Sequence, residues 1–100
     1  MAEVVFTARA LADFEAIVEG LREQSPASAV LVTAQLVEVF DLLQRHPLLG
    51  RSVEQGLREL VISRGKTGYL ALYRWQKREE VVLVLAIRHQ RQAGYRDPGS

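Results

Sequence analysis

The chain has no cysteine, only two histidines and only three prolines in its 100 residues. The missing thiol removes disulfides, thiolate metal sites and a cysteine nucleophile together, and it permits an intracellular home. His46 and His89 have no carboxylates at a ligand-like spacing, so neither a metal nor any other cofactor is expected. No run of about 18 consecutive apolar residues occurs, and no membrane span is expected. The opening Met1-Ala2-Glu3-Val4-Val5-Phe6 lacks the basic-then-apolar order of a secretory signal. A cytoplasmic location is the expectation. Nucleophile-elbow serines are absent too. Gly65-Lys66-Thr67 resembles the tail of a phosphate-binding loop, but Val61 stands where the first glycine is required, and the segment falls between two strand-like runs. It reads as a turn. The length leaves room for one domain, expected over residues 1–96, with Asp97-Pro98-Gly99-Ser100 as a fraying tail.

What is present is an ordinary globular composition, 48% apolar and 25% charged. The net charge of +1 conceals a split. Residues 1–50 carry three basic and seven acidic side chains, a net of −4, whereas residues 51–100 carry ten basic and five acidic ones, a net of +5. Such asymmetry points to nucleic acid or an acidic partner, or simply to two differently solvated faces.

Glu3 to Thr7 reads as a strand, with Thr7 placed to cap a helix. Leu11, Phe14, Ile17, Val18 and Leu21 recur at helical spacing and form one apolar stripe. Ser25-Pro26 is a second helix start, and His46-Pro47 the stop about twenty residues later. Between them Ala29, Val32, Leu36, Val39, Phe40 and Leu43 make a core-facing stripe. Val30, Leu31, Val37 and Leu42 widen it beyond what one neighbour buries. Either the core takes up this excess or another protein does. Pro47 to Gly56 reads as a loop. Strands follow at Leu57–Ser63, Tyr69–Gln76 and Val81–Ile87, the middle one sending Tyr69, Ala71, Tyr73 and Trp75 to one face. The last is apolar at every position, which suits a strand inside the sheet. The expected architecture is α+β in two layers, β-α-α-β-β-β: a helical hairpin on one face of a mainly antiparallel four-stranded sheet. Beyond the last strand, Arg88, His89, Arg91 and Tyr95 form either a phosphate-facing site or a solvated tail with Tyr95 folded back on the sheet.

Several segments, in order, resemble the RelE/ParE toxins. Phe6-Thr7-Ala8-Arg9-Ala10-Leu11-Ala12-Asp13-Phe14 is similar to the family's opening strand and helix. His46-Pro47-Leu48-Leu49-Gly50-Arg51 resembles its proline–glycine–arginine loop, and Gly56-Leu57-Arg58-Glu59-Leu60 the start of its next strand. Tyr69 to Arg74, then Val81 to His89 with Arg91, resemble its last two strands. The likeness spans about Val4 to Tyr95 and implies the toxin half of a type II toxin–antitoxin pair, restrained by a ParD- or RelB-like antitoxin and touching operator DNA only through it. RelE-like members cut mRNA on the ribosome, and ParE-like members poison DNA gyrase by binding. The nuclease branch carries alternating lysines where this chain has Val61 and Ser63, and an arginine where it has Leu70. Those departures favour the gyrase branch. A nuclease here would use His89, Arg91 and Tyr95 as catalytic residues. The resemblance implies target contacts by Arg64, Lys66, Arg74, Arg88, Arg91 and Tyr95, and antitoxin contacts by Val30, Leu31, Val37, Leu42, Arg58 and Tyr73. A third possibility is a family member without toxicity that only binds its antitoxin.

Overall fold

A computed structural model describes residues 1–63 and 68–90. In chain order the elements are β1 (Glu3–Phe6), α1 (Ala8–Gln24), α2 (Pro26–Arg45), β2 (Arg51–Ser52), a 3-10 turn (Glu54–Gly56), β3 (Arg58–Ser63), β4 (Tyr69–Gln76) and β5 (Val81–His89). The helix signals act as their chemistry dictates. The Thr7 side chain accepts from the Ala10 N–H and opens α1. Ser25 accepts from the Ser28 N–H ahead of Pro26 and opens α2, and His46 ends it.

The five strands form one sheet in the order β1-β5-β4-β3-β2. The β5–β4, β4–β3 and β3–β2 pairs are antiparallel, and β1 joins β5 in parallel. The fold class is therefore α+β, with one strand more than the four expected. The extra strand, β2, is two residues long and lies inside the segment expected to be a loop. Arg51 pairs with Glu59 and Ser52 with Arg58. Gln55 and Gly56 at φ 60° and 72° turn the chain between β2 and β3. β5 also runs two residues past the expected end at Ile87.

The hairpin α1–α2 covers one face of the sheet. From α2 come Val32, Leu36, Phe40 and Leu43; from the sheet come Ile62, Ala71, Tyr73, Val82, Val84 and Ile87. In α1 the inward stripe is Ala10, Phe14, Ile17 and Leu21. Leu11, assigned to that stripe by spacing, is 49% exposed. It lies one residue, about 100°, round the helix from the buried Ala10. Phe6 meets Phe14 and Phe40 edge to face and joins β1 to both helices.

α2 is long and apolar enough, by length and composition alone, to pass as a membrane span, although no unbroken apolar run exists. Its inner face packs Val32, Leu36, Phe40 and Leu43 into the core, and Ala29 is buried as well. The register of β5 shifts between the partners of Leu72 and Tyr73. Beyond that shift β1 has ended, and the free edge of β5 is met by α1: the Thr7 hydroxyl donates to the Leu85 carbonyl and the Asp13 carboxylate accepts from the Ile87 N–H.

Candidate functional site

Strand register sorts the candidate residues onto two faces. On the helix-covered face Arg58 sits opposite Tyr73, Tyr73 opposite Val84, and Tyr69 opposite His89. On the other face Glu59 sits opposite Leu72 and Leu72 opposite Ala86, while Val61 sits opposite Leu70 and Leu70 opposite Arg88. Arg88 and His89 are neighbours in sequence, but the pleat directs them to opposite sides of the sheet.

Among the described residues the open face, the one that no helix covers, carries a short electrostatic row. Glu59 is 8% exposed. Its Oε1 accepts from Nε and Nη2 of Arg51 on β2, at 3.3 and 2.7 Å. Nη2 of Arg88 approaches its Oε2 to 3.9 Å, reaching across β4 from β5. The Arg88 side chain is only 16% exposed and also donates to the His89 carbonyl. Leu70 is buried next to it, and Val61 is 44% exposed. Arg74, opposite Leu83, is the exposed cation of this face among the described residues of β4 and β5. On the far side His89 stands against the ring of Tyr69 at 5.3 Å, nearly perpendicular. Tyr69 is 5% exposed, and burial pushes its phenol up from the ordinary value.

Tyr73, expected to touch the antitoxin, has no exposed surface. Its hydroxyl accepts from the Gly50 N–H at 2.8 Å and donates to the Pro47 carbonyl at 2.7 Å. Burial raises its pKa; the Gly50 bond and the charge of Arg58 pull the other way. Arg58 donates to the carbonyls of Leu48 and Gly50. These two side chains hold the loop that follows α2; Tyr73 has no surface left for a partner, whereas Arg58 stays partly exposed. The alternation along β4 showed which face Tyr73 takes but not the depth to which it is buried.

What the pinned loop does is present Leu48 and Leu49 outward, 59% and 45% exposed. Leu49 then lines a groove with Val39 and Leu42 of α2 and Leu60 and Val61 of β3, and Arg51 and Glu59 line it too. Beside it runs the outer edge of β3, which β2 pairs only at Arg58 and Glu59. Of the expected antitoxin contacts, only Leu42 reaches this groove. Val30, Leu31 and Val37 sit on the outer surface of α2. Leu48 and Leu49 were not singled out by sequence reasoning, and Val61 only as a departure from the nuclease pattern, not as part of a groove. Their only signal was leucine and valine where a loop and an edge strand would carry polar residues.

Arg64, Lys66, Arg91 and Tyr95 lie outside the described residues, so the target-facing set is represented by Arg74 and Arg88, and the catalytic set by His89. Among the described residues no group of three acidic or histidine side chains is arranged to hold a metal ion.

The family model for the ParE toxin of type II toxin–antitoxin systems matches residues 4–94. The chain belongs to the ParE toxin family. It is thus a type II toxin–antitoxin toxin, with RelE/ParE architecture. Toxin RelE2 of Caulobacter vibrioides is 42% identical over 62 residues, which cover 62% of this ParE-family chain and 70% of that protein. A solved chromosomal ParDE system from P. aeruginosa superposes with a TM-score of 0.71 at 25% identity, over 89% of this chain and 96% of that one. The E. coli RelBE toxin–antitoxin complex superposes at 0.65 and 16% identity, over 92% and 100%, a likeness of fold alone.

Proposed function

We propose that this ParE-family toxin acts by binding, as a poison of DNA gyrase, and that it is not a ribosome-dependent nuclease. The observation that carries this reading is the composition of the open face. A nuclease that attacks a phosphodiester must offer uncompensated positive charge to the developing phosphorane and a proton-transfer group beside it. Among the described residues Arg88 faces the buried carboxylate of Glu59, Val61 and Leu70 are apolar, and His89 is on the other side of the sheet. A binding protein needs none of that charge. It needs an accessible contact surface, and Arg74 offers exposed positive charge for one.

Restraint by a cognate antitoxin, as in the ParDE and RelBE systems it resembles, fits the groove between α2 and β3. An extended segment can add to the part of the β3 edge that no described strand pairs and place alternate apolar side chains against Leu42, Leu49 and Val61.

Induction of the chain in a bacterial host separates the mechanisms. Gyrase poisoning should give an SOS response, filamentation and cleaved DNA, with protein synthesis failing later. Translation arrest with A-site mRNA cleavage before any DNA damage would defeat the proposal and direct attention to Arg91 and Tyr95. Silence in both assays would identify a family member without toxicity.

A further inference from the structure

β5 does not keep one register along its length. Val84 lies opposite Tyr73 and Ala86 opposite Leu72, so Leu85 is an extra residue with no partner on β4. Such a bulge reverses the alternation of every residue beyond it. Before the bulge, the carbonyls of Glu80 and Val84 point away from β4 and accept from the N–H groups of Glu3 and Thr7. From the bulge onward the odd-numbered residues take that outward direction. The Leu85 carbonyl accepts from the Thr7 hydroxyl, and the Ile87 N–H donates to the Asp13 carboxylate at 3.0 Å. Gln90 points back towards β4 and donates to the Gly68 carbonyl.

The side chains follow the backbone. With the bulge, Arg88 stands beside Leu70 on the open face, and His89 meets the ring of Tyr69 on the other. A slip of one residue that erased the bulge would set Leu85 opposite Leu72, Ala86 opposite Ala71, Ile87 opposite Leu70 and Arg88 opposite Tyr69. Arg88 would then leave Glu59 for the helix-covered side, and His89 would turn to the open face.

Two forces resist the slip. One is packing: Ile87 is 4% exposed and fills core that Ala86 would leave empty. The other is the Asp13 bond. It forms only in the bulged register, because the slipped strand would aim the Ile87 N–H at β4. It also acts where strand pairing has run out, since β1 pairs no further than Val84. Thr7 grips the bulge with the same hydroxyl that caps α1, so the helix start and the strand register are fixed together.

We propose that Asp13 is a positioning residue for target engagement: its carboxylate locks the bulge at Leu85 and so decides which face of the sheet Arg88 and His89 occupy. The part played by Arg88 at the target rests on the gyrase-poison reading, whereas the register lock stands on the hydrogen bonds alone.

The test uses the full chain, NMR spectroscopy and killing on induction. In wild type, cross-strand NMR contacts should join Leu70 to Arg88 and Tyr69 to His89, and the Ile87 amide should exchange slowly. Asp13→Ala should speed Ile87 exchange by roughly ten-fold or more, weaken both contacts while the Trp75–Val82 contact stays, and abolish killing. Asp13→Asn keeps a side-chain carbonyl that accepts, and should behave as wild type. The deciding variant deletes Leu85 in the Asp13→Ala background. A strand without the extra residue holds Arg88 and His89 on their native faces by regular pairing. Killing and both contacts should therefore return, even where Asp13→Ala by itself does not fold. Unchanged Ile87 exchange in Asp13→Ala, lost killing with both contacts intact, an Asp13→Asn chain as impaired as Asp13→Ala, or no rescue by the deletion would each overturn the proposal. A wild-type chain that cuts mRNA, or arrests nothing, would defeat the gyrase reading alone, and the exchange and contact measurements would still judge the lock.

Discussion

Tyr73 ties β4 to the loop after α2 at two points with a single oxygen, and its replacement measures what that costs to lose. Tyr73→Phe keeps the ring in the core but leaves the Gly50 N–H and the Pro47 carbonyl without their partner. Each orphaned buried group costs about 1–3 kcal/mol. A domain of this size has about 5–15 kcal/mol in all, so a clear fall in Tm is expected. A melting temperature within a degree of wild type would show that the loop is held otherwise. Gly50→Ala attacks the same contact from the other side. A Cβ there would lie 2.8 Å from Cε1 of Tyr73 and 2.9 Å from the Glu59 carbonyl oxygen, one of them backbone, so the strand or loop must shift. Titration gives an independent reading. Tyr73 and Tyr69 both hold their protons more tightly when folded, mainly through burial. An acid with a raised folded pKa contributes stability that is fully present below its unfolded value of about 10 and is lost as pH climbs through the folded one. Stability should therefore be insensitive to these phenols at neutral pH and fall above about pH 10, with a shallower fall in Tyr73→Phe. An unchanged alkaline slope in that variant would remove Tyr73 from the account.

At the scale of elements, the open face depends on a carboxylate that three strands share. Glu59 on β3 receives Arg51 from β2 and Arg88 from β5. Glu59→Gln removes the charge that balances the mostly buried Arg88 guanidinium. Breaking one partner of a buried pair costs about 3–5 kcal/mol, and the 75% exposure of Arg51 puts its share at the surface end of the scale, about 0–1 kcal/mol. The variant should lose stability measurably, and denaturant unfolding would show it. A gain in stability would mean that Arg88 is better solvated than its burial indicates. The same elements show where sequence reading works. The two helices were legible because capping is local: Thr7, Ser25-Pro26 and His46-Pro47 each mark an end within three residues. β3, β4 and β5 were legible because alternation and branched side chains recur over six to nine residues. β2 was not, because two residues carry no period and Arg51-Ser52 becomes a strand only when Arg58 and Glu59 arrive opposite it. The separation of Arg88 from His89 is implicit in the period of two, but only the register with Leu70 and Tyr69 shows which face each takes. The burial of Tyr73 depends on the loop that folds over it, which no local pattern announces. Two of the expected target contacts on β4 and β5, Arg74 and Arg88, therefore have quite different environments despite their common charge.

For the whole molecule, the charge split of the sequence becomes a separation of layers. The acidic first half builds the hairpin and the basic second half builds most of the sheet. A neutralising partner and a target can thus meet different surfaces of one small domain. If the antitoxin occupies the groove between α2 and β3, its grip should be separable from toxicity. Leu42 and Leu49 are exposed at the groove and absent from the buried core, so Leu42→Asp with Leu49→Asp should leave the fold intact. Truncating or charging such anchors in a desolvated pocket costs about 2 kcal/mol or more of binding, roughly thirty-fold in affinity. Co-expression with the antitoxin would then fail to rescue growth at levels that rescue wild type, while killing by the toxin alone persists. Co-purification should show the complex falling apart in parallel. Rescue equal to wild type would move the antitoxin elsewhere, whereas loss of killing together with loss of rescue would mean that one surface serves both encounters and that neutralisation is direct occlusion of the target site.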